Sequence, residues 1–280
     1  MSQTASLKEI ASQLRRDVIR MIGAAGSGHP GGSLSSADLF AALYFKVMRH
    51  NPSNWTRSSA SQDAFILSAG HLAPILYASL ARSGYFPVGE LATLRQFGTR
   101  LQGHPCVGHG LPGIVQASGS LGQGLACAAG IALAKKMDAE PYKVYCLLGD
   151  GECEEGEIWE SAMFSANHKL DNLIAITDWN MCQIDGNVDE VAGLGDLKAK
   201  WEAFGWNVEI VEEGNDPDIV AEALVRAGSV KDKPSMLLIK TEMGHGVDFM
   251  AGKHGWHGKA PSAEEVQRAL AQIDETLGDY

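Results

Sequence analysis

Two stretches of this 280-residue chain carry oxygen ligands at a usable spacing. Gly149-Asp150-Gly151 follows one continuous apolar run, and Asn180 follows the next. A strand–helix–strand unit between them would bring one carboxylate and one amide oxygen to the same sheet edge, where open parallel sheets bind ligands. Such hard oxygens suit Mg²⁺, which keeps water and completes its octahedron with phosphate oxygens. Ca²⁺ and Mn²⁺ share that preference. Gly149 and Gly151 would permit a tight turn and close approach of a diphosphate. A lone Gly-Asp-Gly is most often a plain turn. The asparagine after the next apolar run raises its weight.

Nine histidines are present, and several sit beside Gly or Pro in polar turns. These turns are Ser27-Gly28-His29-Pro30-Gly31, Ser68-Ala69-Gly70-His71, Gly103-His104-Pro105 and Trp256-His257-Gly258-Lys259-Ala260-Pro261. A single loop histidine usually caps a turn. A group of them can both donate to and accept from a polar ligand, because neutral imidazole does both. His254 competes with His257, while His50, His109, His168 and His245 read as surface or turn residues. Ahead of Gly-Asp-Gly, Ala117-Ser118-Gly119-Ser120-Leu121-Gly122-Gln123-Gly124 is a flexible loop feeding a helix N-terminus, a natural neighbour for a diphosphate.

The elements that must position these residues follow from periodicity. Helical spacing predicts helices over 7–24, 35–47, 72–81, 124–137, 157–168, 218–227 and 262–277. Short apolar runs predict strands over 64–67, 144–148, 173–177, 207–211 and 236–240. Residues 97–124 are glycine-rich and without period, as an active-site loop would be. Strands alternating with helices predict a doubly wound, mostly parallel α/β sheet with helices on both faces. With no internal repeat or linker, residues 1–280 read as a single domain.

Composition removes several classes. With 23 basic against 34 acidic side chains, the net charge of -11 leaves no basic stripe for nucleic acid. No apolar run reaches membrane-spanning length, and residues 1–10 lack the order of a signal peptide. Five cysteines without CxxC spacing indicate neither a disulfide framework nor a zinc site. A cytoplasmic protein is expected.

Gly149-Asp150-Gly151 with Asp178-Trp179-Asn180 resembles the thiamine diphosphate motif, and Glu152 to Glu160 (ECEEGEIWE) resembles its transketolase form. The four histidine turns and the 117–124 loop, with Ser120 in place of the family's proline, resemble further transketolase motifs. The inserted Lys259 departs from the family's spacing near His257. The resemblance implies a thiamine diphosphate-binding fold with the metal held by Asp150, Asn180 and the backbone carbonyl of Cys182. It implies that His29, His71, His104 and His257 bind the sugar donor and move protons. It also implies cofactor contacts from Gly119, Leu121, Gly149, Gly151, Ile184 and His71, and a subunit-interface role for Glu155 and, less directly, Glu160. Leu121 and Ile184 read equally as core residues, and the two glutamates as solvated helix carboxylates.

That resemblance covers only the first domain of a full transketolase, whose second domain supplies the glutamate that activates the cofactor and the arginines that grip the sugar phosphate. The expectation is therefore the N-terminal subunit of a split transketolase, inert alone and assembled into a heterotetramer with a C-terminal subunit. It would transfer a two-carbon glycolaldehyde unit from a ketose phosphate to an aldose. The alternatives are the α subunit of a 2-oxo-acid dehydrogenase, a deoxyxylulose-phosphate synthase fragment, and a noncatalytic cofactor-binding scaffold. The histidines disfavour the first two, because pyruvate-type donors lack hydroxyls.

Overall fold

A computed structural model describes residues 5–58 and 61–280. Residues 1–4, part of the stretch that lacks the order of a signal peptide, lie outside the described residues. In chain order the main elements are α1 (Leu7–Ala25), α2 (Pro30–Ser35), α3 (Ala37–Ala42), β1 (Ala64–Leu67), α4 (Ala73–Arg82), α5 (Gln123–Met137), β2 (Val144–Gly149), α6 (Gly156–Asn167) and β3 (Leu173–Trp179). There follow β4 (Cys182–Gln183), β5 (Gly186–Asn187), α7 (Val188–Ala192), α8 (Leu197–Ala203), β6 (Asn207–Val211), α9 (Pro217–Ser229), β7 (Ser235–Lys240) and α10 (Ala263–Leu270).

The short apolar runs pair as one parallel sheet in the order β1-β2-β3-β7-β6. Side chains alternate across each strand, so the sheet sorts its residues into two layers. Phe65, Leu67, Tyr145, Leu147, Ile174, Ile176, Leu237 and Ile239 join the core under α1, α3, α4 and α9. Ile66, Val144, Cys146, Leu148, Leu173, Ala175, Met236 and Leu238 join the core under α5, α6 and α8. Helices on both faces explain why the central strands read as unbroken apolar runs. On α5 the small Ala128, Ala129 and Ala132 face the sheet and are buried.

Two helix predictions need correction. Residues 35–47 do not form one helix: Pro30 starts a turn earlier, the chain breaks at Ser36, and Leu43–Val47 forms a wide π turn. Ser35 is held instead by tertiary contact, its hydroxyl donating to Gly32 O and to Asp178. The predicted helix over 262–277 stops at Leu270. Beyond it, Thr276 and Leu277 donate their N–H groups to the buried Gln13 side chain, and Asp279 pairs with Arg16 at 2.7 Å. Those bonds draw the tail off the helix axis and onto α1.

Candidate active site

The carboxyl ends of three adjacent strands, β1, β2 and β3, meet at one cleft, and the end of β7 backs it through the Thr241–Asp178 bond. β1 ends in Ser68-Ala69-Gly70-His71, β2 in Gly149-Asp150-Gly151, β3 in Asp178-Trp179-Asn180, and β7 in Lys240-Thr241. Parallel register sets Gly149 opposite Asp178, so the polar residues come level rather than staggered. The cleft encloses about 270 Å³ and is lined by His29, His71, Gly119, Leu121, Gly149, Asp150, Gly151, Glu155, Asn180, Cys182, Ile184 and His257, among others.

Asp150 is only 3% exposed. Its Oδ1 accepts from Gly151 N at 2.8 Å and its Oδ2 from Met181 N at 2.6 Å. Presenting that N–H places Met181 in left-handed backbone (φ 61°), an uncommon conformation outside glycine. Asn180 donates through Nδ2 to Asp178 at 2.8 Å and accepts at Oδ1 from Cys182 N at 3.0 Å. The Asp178 carboxylate also accepts from Ser35 and Thr241.

Burial, together with the neighbouring Asp178, pushes the Asp150 carboxyl up to about 7. Burial also raises Asp178. Among the described residues neither carboxylate has a cationic side-chain partner in an ion pair. Buried charge of one sign calls for a counterion, and a divalent cation among Asp150, the Asn180 amide oxygen and the Cys182 carbonyl would supply it. No group of three His, Cys, Asp or Glu side chains that could hold a metal occurs among the described residues. The donor set here is instead one carboxylate, one amide and one backbone carbonyl, which fits a hard cation completed by phosphate oxygens.

The histidines form a second cluster. Ring centroids lie 5.2 Å apart for His29 and His71, 5.7 Å for His29 and His257, 5.0 Å for His71 and His257, and 6.3 Å for His29 and His104. Burial, helped by the neighbouring rings, lowers His29 to about 4 and His71 to about 3. Burial also lowers His104 and His257. All four are therefore neutral near pH 7, each able to donate at one nitrogen and accept at the other. The Nδ1 atoms of His29 and His257 and the Ser118 hydroxyl are buried without a hydrogen-bond partner, as groups awaiting a polar ligand would be.

His104 does not line the cleft itself; its ring packs against Gly119 at the rim, where a β-carbon would approach it to 3.3 Å. Nearby, a β-carbon on Gly70 would lie 2.6 Å from Gly119 N, so the two loops touch backbone to backbone. Leu121 is partly exposed and Ile184 is 63% exposed within the cleft wall, so neither is a core residue. Glu155 lines the cleft, whereas Glu160 lies apart from it, beside α5. His257 lies in the cleft and His254 on the exposed turn beyond it, which separates the two. His50 departs from its surface reading: it is half-buried and bonded to Tyr85 and to the Tyr44 carbonyl.

Two carboxylates escaped sequence reasoning as site residues. Asp178 was visible only as part of a motif, although an acid at the end of a buried strand is itself a signal. Glu152 is 2% exposed. It accepts from Ser68, from Gly122 N at 2.8 Å and from Gly149 N at 3.0 Å. Ser68 in turn accepts from Gly124 N at 3.0 Å. One side chain thus joins the ends of β1 and β2 to the glycine loop before α5. Its place in an acidic run gave it no mark of its own in the sequence.

A doubly wound sheet with Asp150 and Asn180 at its carboxyl edge and a histidine cluster on the same cleft has the arrangement of a cofactor-binding enzyme domain. Residues 6–275 match the family described as transketolase, thiamine diphosphate binding domain. The chain is 42% identical to the 6-deoxy-6-sulfo-D-fructose transketolase subunit SqwG of Clostridium sp. (strain MSTE9), covering 98% of both chains. It is 36% identical to an apulose-4-phosphate transketolase subunit of Phocaeicola vulgatus, covering 98% of this chain and 96% of that one. Among solved structures it superposes on transketolase from Leishmania mexicana with a TM-score of 0.90 at 29% identity, covering 97% of this chain but 42% of that one. The chain belongs to the transketolase family, as its thiamine diphosphate-binding N-terminal part, and matches the subunit-split forms in length. No helix among the described residues is long and apolar enough to cross a membrane.

Proposed function

We propose that this chain is the cofactor-binding half of a two-chain transketolase, paired with a C-terminal subunit in a cytoplasmic heterotetramer that transfers a two-carbon ketol unit to an aldose. The observation that carries this reading is the meeting of the Asp150 and Asn180 oxygens with His29, His71 and His257 on one cleft. The likeness over almost the full length of two transketolase subunits supports a separate partner chain. An obligate contact of that kind buries on the order of 2,000 to 5,000 Å². The two relatives are named for a sulfonated and a phosphorylated ketose, which supports a ketose donor with an anionic end. Five unpaired cysteines accord with a reducing compartment.

In this reading Asp150, Asn180 and the Cys182 carbonyl would hold Mg²⁺, and Gly149, Gly151 and Gly119 would admit the diphosphate. Leu121 and Ile184 pack the ring system, while Glu155 sits where the partner closes the cleft. Bound thiamine diphosphate supplies the electron sink needed to break a carbon–carbon bond beside a carbonyl. The protein's part is orientation and proton handling. Neutral His29, His71 and His257 grip donor hydroxyls and carbonyl, and His104 reaches in from the rim. Because all four are held uncharged, each can exchange a proton with a donor oxygen without first losing one to solvent.

The test is reconstitution. The chain is purified alone and with its C-terminal partner, then assayed with Mg²⁺, thiamine diphosphate, an aldose acceptor and either a phosphorylated or a sulfonated ketose. Turnover is expected only in the assembled complex. Comparable turnover by the lone chain would overturn the split reading, and pyruvate decarboxylation without ketose cleavage would move the assignment to another thiamine enzyme.

A further inference from the structure

One half-buried cation touches the loops of both His29 and His104, yet belongs to no motif recognised in the sequence. Arg95 occupies left-handed backbone (φ 59°), its N–H closing a loop onto Leu101 O at 2.9 Å. From there Nη1 donates to Ser27 Oγ at 2.9 Å and Nη2 to Gly103 O at 3.4 Å. Ser27 precedes His29 by two residues, and Gly103 immediately precedes His104. The guanidinium lies so close against Gly103 that a β-carbon there would meet its Cζ at 2.8 Å.

A purely structural arginine in such a place would be expected to pair with a carboxylate. Among the described residues the Arg95 guanidinium forms no ion pair, and its Nε is buried without a hydrogen-bond partner. Its charge acts on Tyr77 and on two of the histidines: it disfavours the protonated forms of His29 and His104, adding to the effect of burial. The fork of a guanidinium also has the geometry to hold two acceptors at once, which a lysine lacks.

We propose that Arg95 is a positioning residue for the histidine cluster, its two-pronged bridge from Ser27 to Gly103 setting the His29 and His104 rings in register with each other. Its effect on turnover rests on the transketolase reading above; its effect on the rings does not. Substrate positioning is sensitive to small displacements, and a shift near 1 Å costs about 100-fold in rate.

The experiment has two arms. In the assembled complex with Mg²⁺ and thiamine diphosphate, Arg95→Ala should lower kcat about 10- to 100-fold, with cofactor Kd and donor KM held within about threefold. Arg95→Lys keeps the charge without the fork and should stay closer to the alanine variant than to the wild type. In the chain alone, the ring proton resonances of His29 and His104 should move in Arg95→Ala while those of His50 and His168 stay in place. Should the alanine variant fail to fold, Arg95→Gln is read in the same way. Full activity in the lysine variant, a loss confined to cofactor affinity, or unmoved His29 and His104 resonances would each overturn the proposal. Absence of turnover in the wild-type complex with every ketose would sink the transketolase reading instead, and the resonance arm would still decide the role of Arg95.

Discussion

Asn180 donates its side-chain N–H to the buried carboxylate of Asp178 at 2.8 Å, and that bond decides which way the amide faces. With Nδ2 committed to Asp178, Oδ1 is left to accept from Cys182 N at 3.0 Å. Asp178 is itself locked by Ser35 and Thr241. An outer carboxylate therefore orients the amide proposed to hold the cation, as metal sites commonly require. Asp178→Asn can no longer specify the amide's direction. It should weaken Mg²⁺-dependent thiamine diphosphate binding by about 10- to 100-fold, measured calorimetrically on the assembled complex. An unchanged Kd would show that Asn180 needs no such anchor.

Removing the cation should remove the cofactor. Asp150 is the carboxylate of the proposed donor set, and no lysine or arginine pairs with it among the described residues. Chelation with EDTA, or Asp150→Ala, should leave the complex unable to retain thiamine diphosphate through gel filtration. Retention at wild-type stoichiometry under either condition would contradict a metal-clamped diphosphate.

Glu152 lines the cleft as well, and its part in stability is tested on the lone chain without cofactor. Its carboxylate accepts from Ser68, Gly122 N and Gly149 N in a site that is 2% exposed. A glutamine there keeps the shape but turns an N–H toward groups that are already donors. Leaving a buried donor unmet costs about 1–3 kcal/mol. Glu152→Gln should lower the unfolding free energy of the lone chain by that amount in urea denaturation, with the m-value unchanged. A loss below about 0.5 kcal/mol, the size of an ordinary surface substitution, would mean that the acid is not the tie it looks to be.

Acid should destabilise the chain through its histidines. Burial lowers His29 to about 4 and His71 to about 3, from an ordinary value of 6.5. Below pH 6.5 the unfolded chain takes up protons that the folded one refuses, so their contribution to stability falls as pH drops. For His29 the loss runs from 6.5 to about 4, below which both states are protonated. His29→Asn should therefore make the stability-versus-pH curve of the lone chain shallower between pH 6.5 and 4 than in the wild type. Parallel curves would show that the ring is not held neutral by the fold.

Much of this site can be read from residue order because its parts lie at the ends of apolar runs. Runs of aliphatic residues can hardly avoid becoming central parallel strands, and a parallel strand delivers whatever follows it to one edge of the sheet. That logic brings Asp150 and Asn180 together from spacing alone, and the family motifs add the histidine turns. It fails where tertiary bonds override local pattern. Ser35 is taken by Asp178, so the expected long helix breaks at Ser36. The C-terminal helix stops at Leu270 because Gln13 and Arg16 hold the tail. The amphipathic α8, with Trp201 fully buried beside Trp159 and Trp206, went unread because it is short and lies after a polar hairpin.

The amino-acid order alone determined the alternation of strands and helices and the arrival of Asp150 and Asn180 at one sheet edge, since each depends on local spacing, while the family was carried by the resemblance of its motifs. Only the folded chain decided that Glu152 is a buried tie rather than a solvated acid, that His257 rather than His254 enters the cleft, and that Arg95 bridges two histidine loops. Those facts depend on groups brought together from distant parts of the chain, and no local periodicity records which of many polar side chains will lose its water when the layers close.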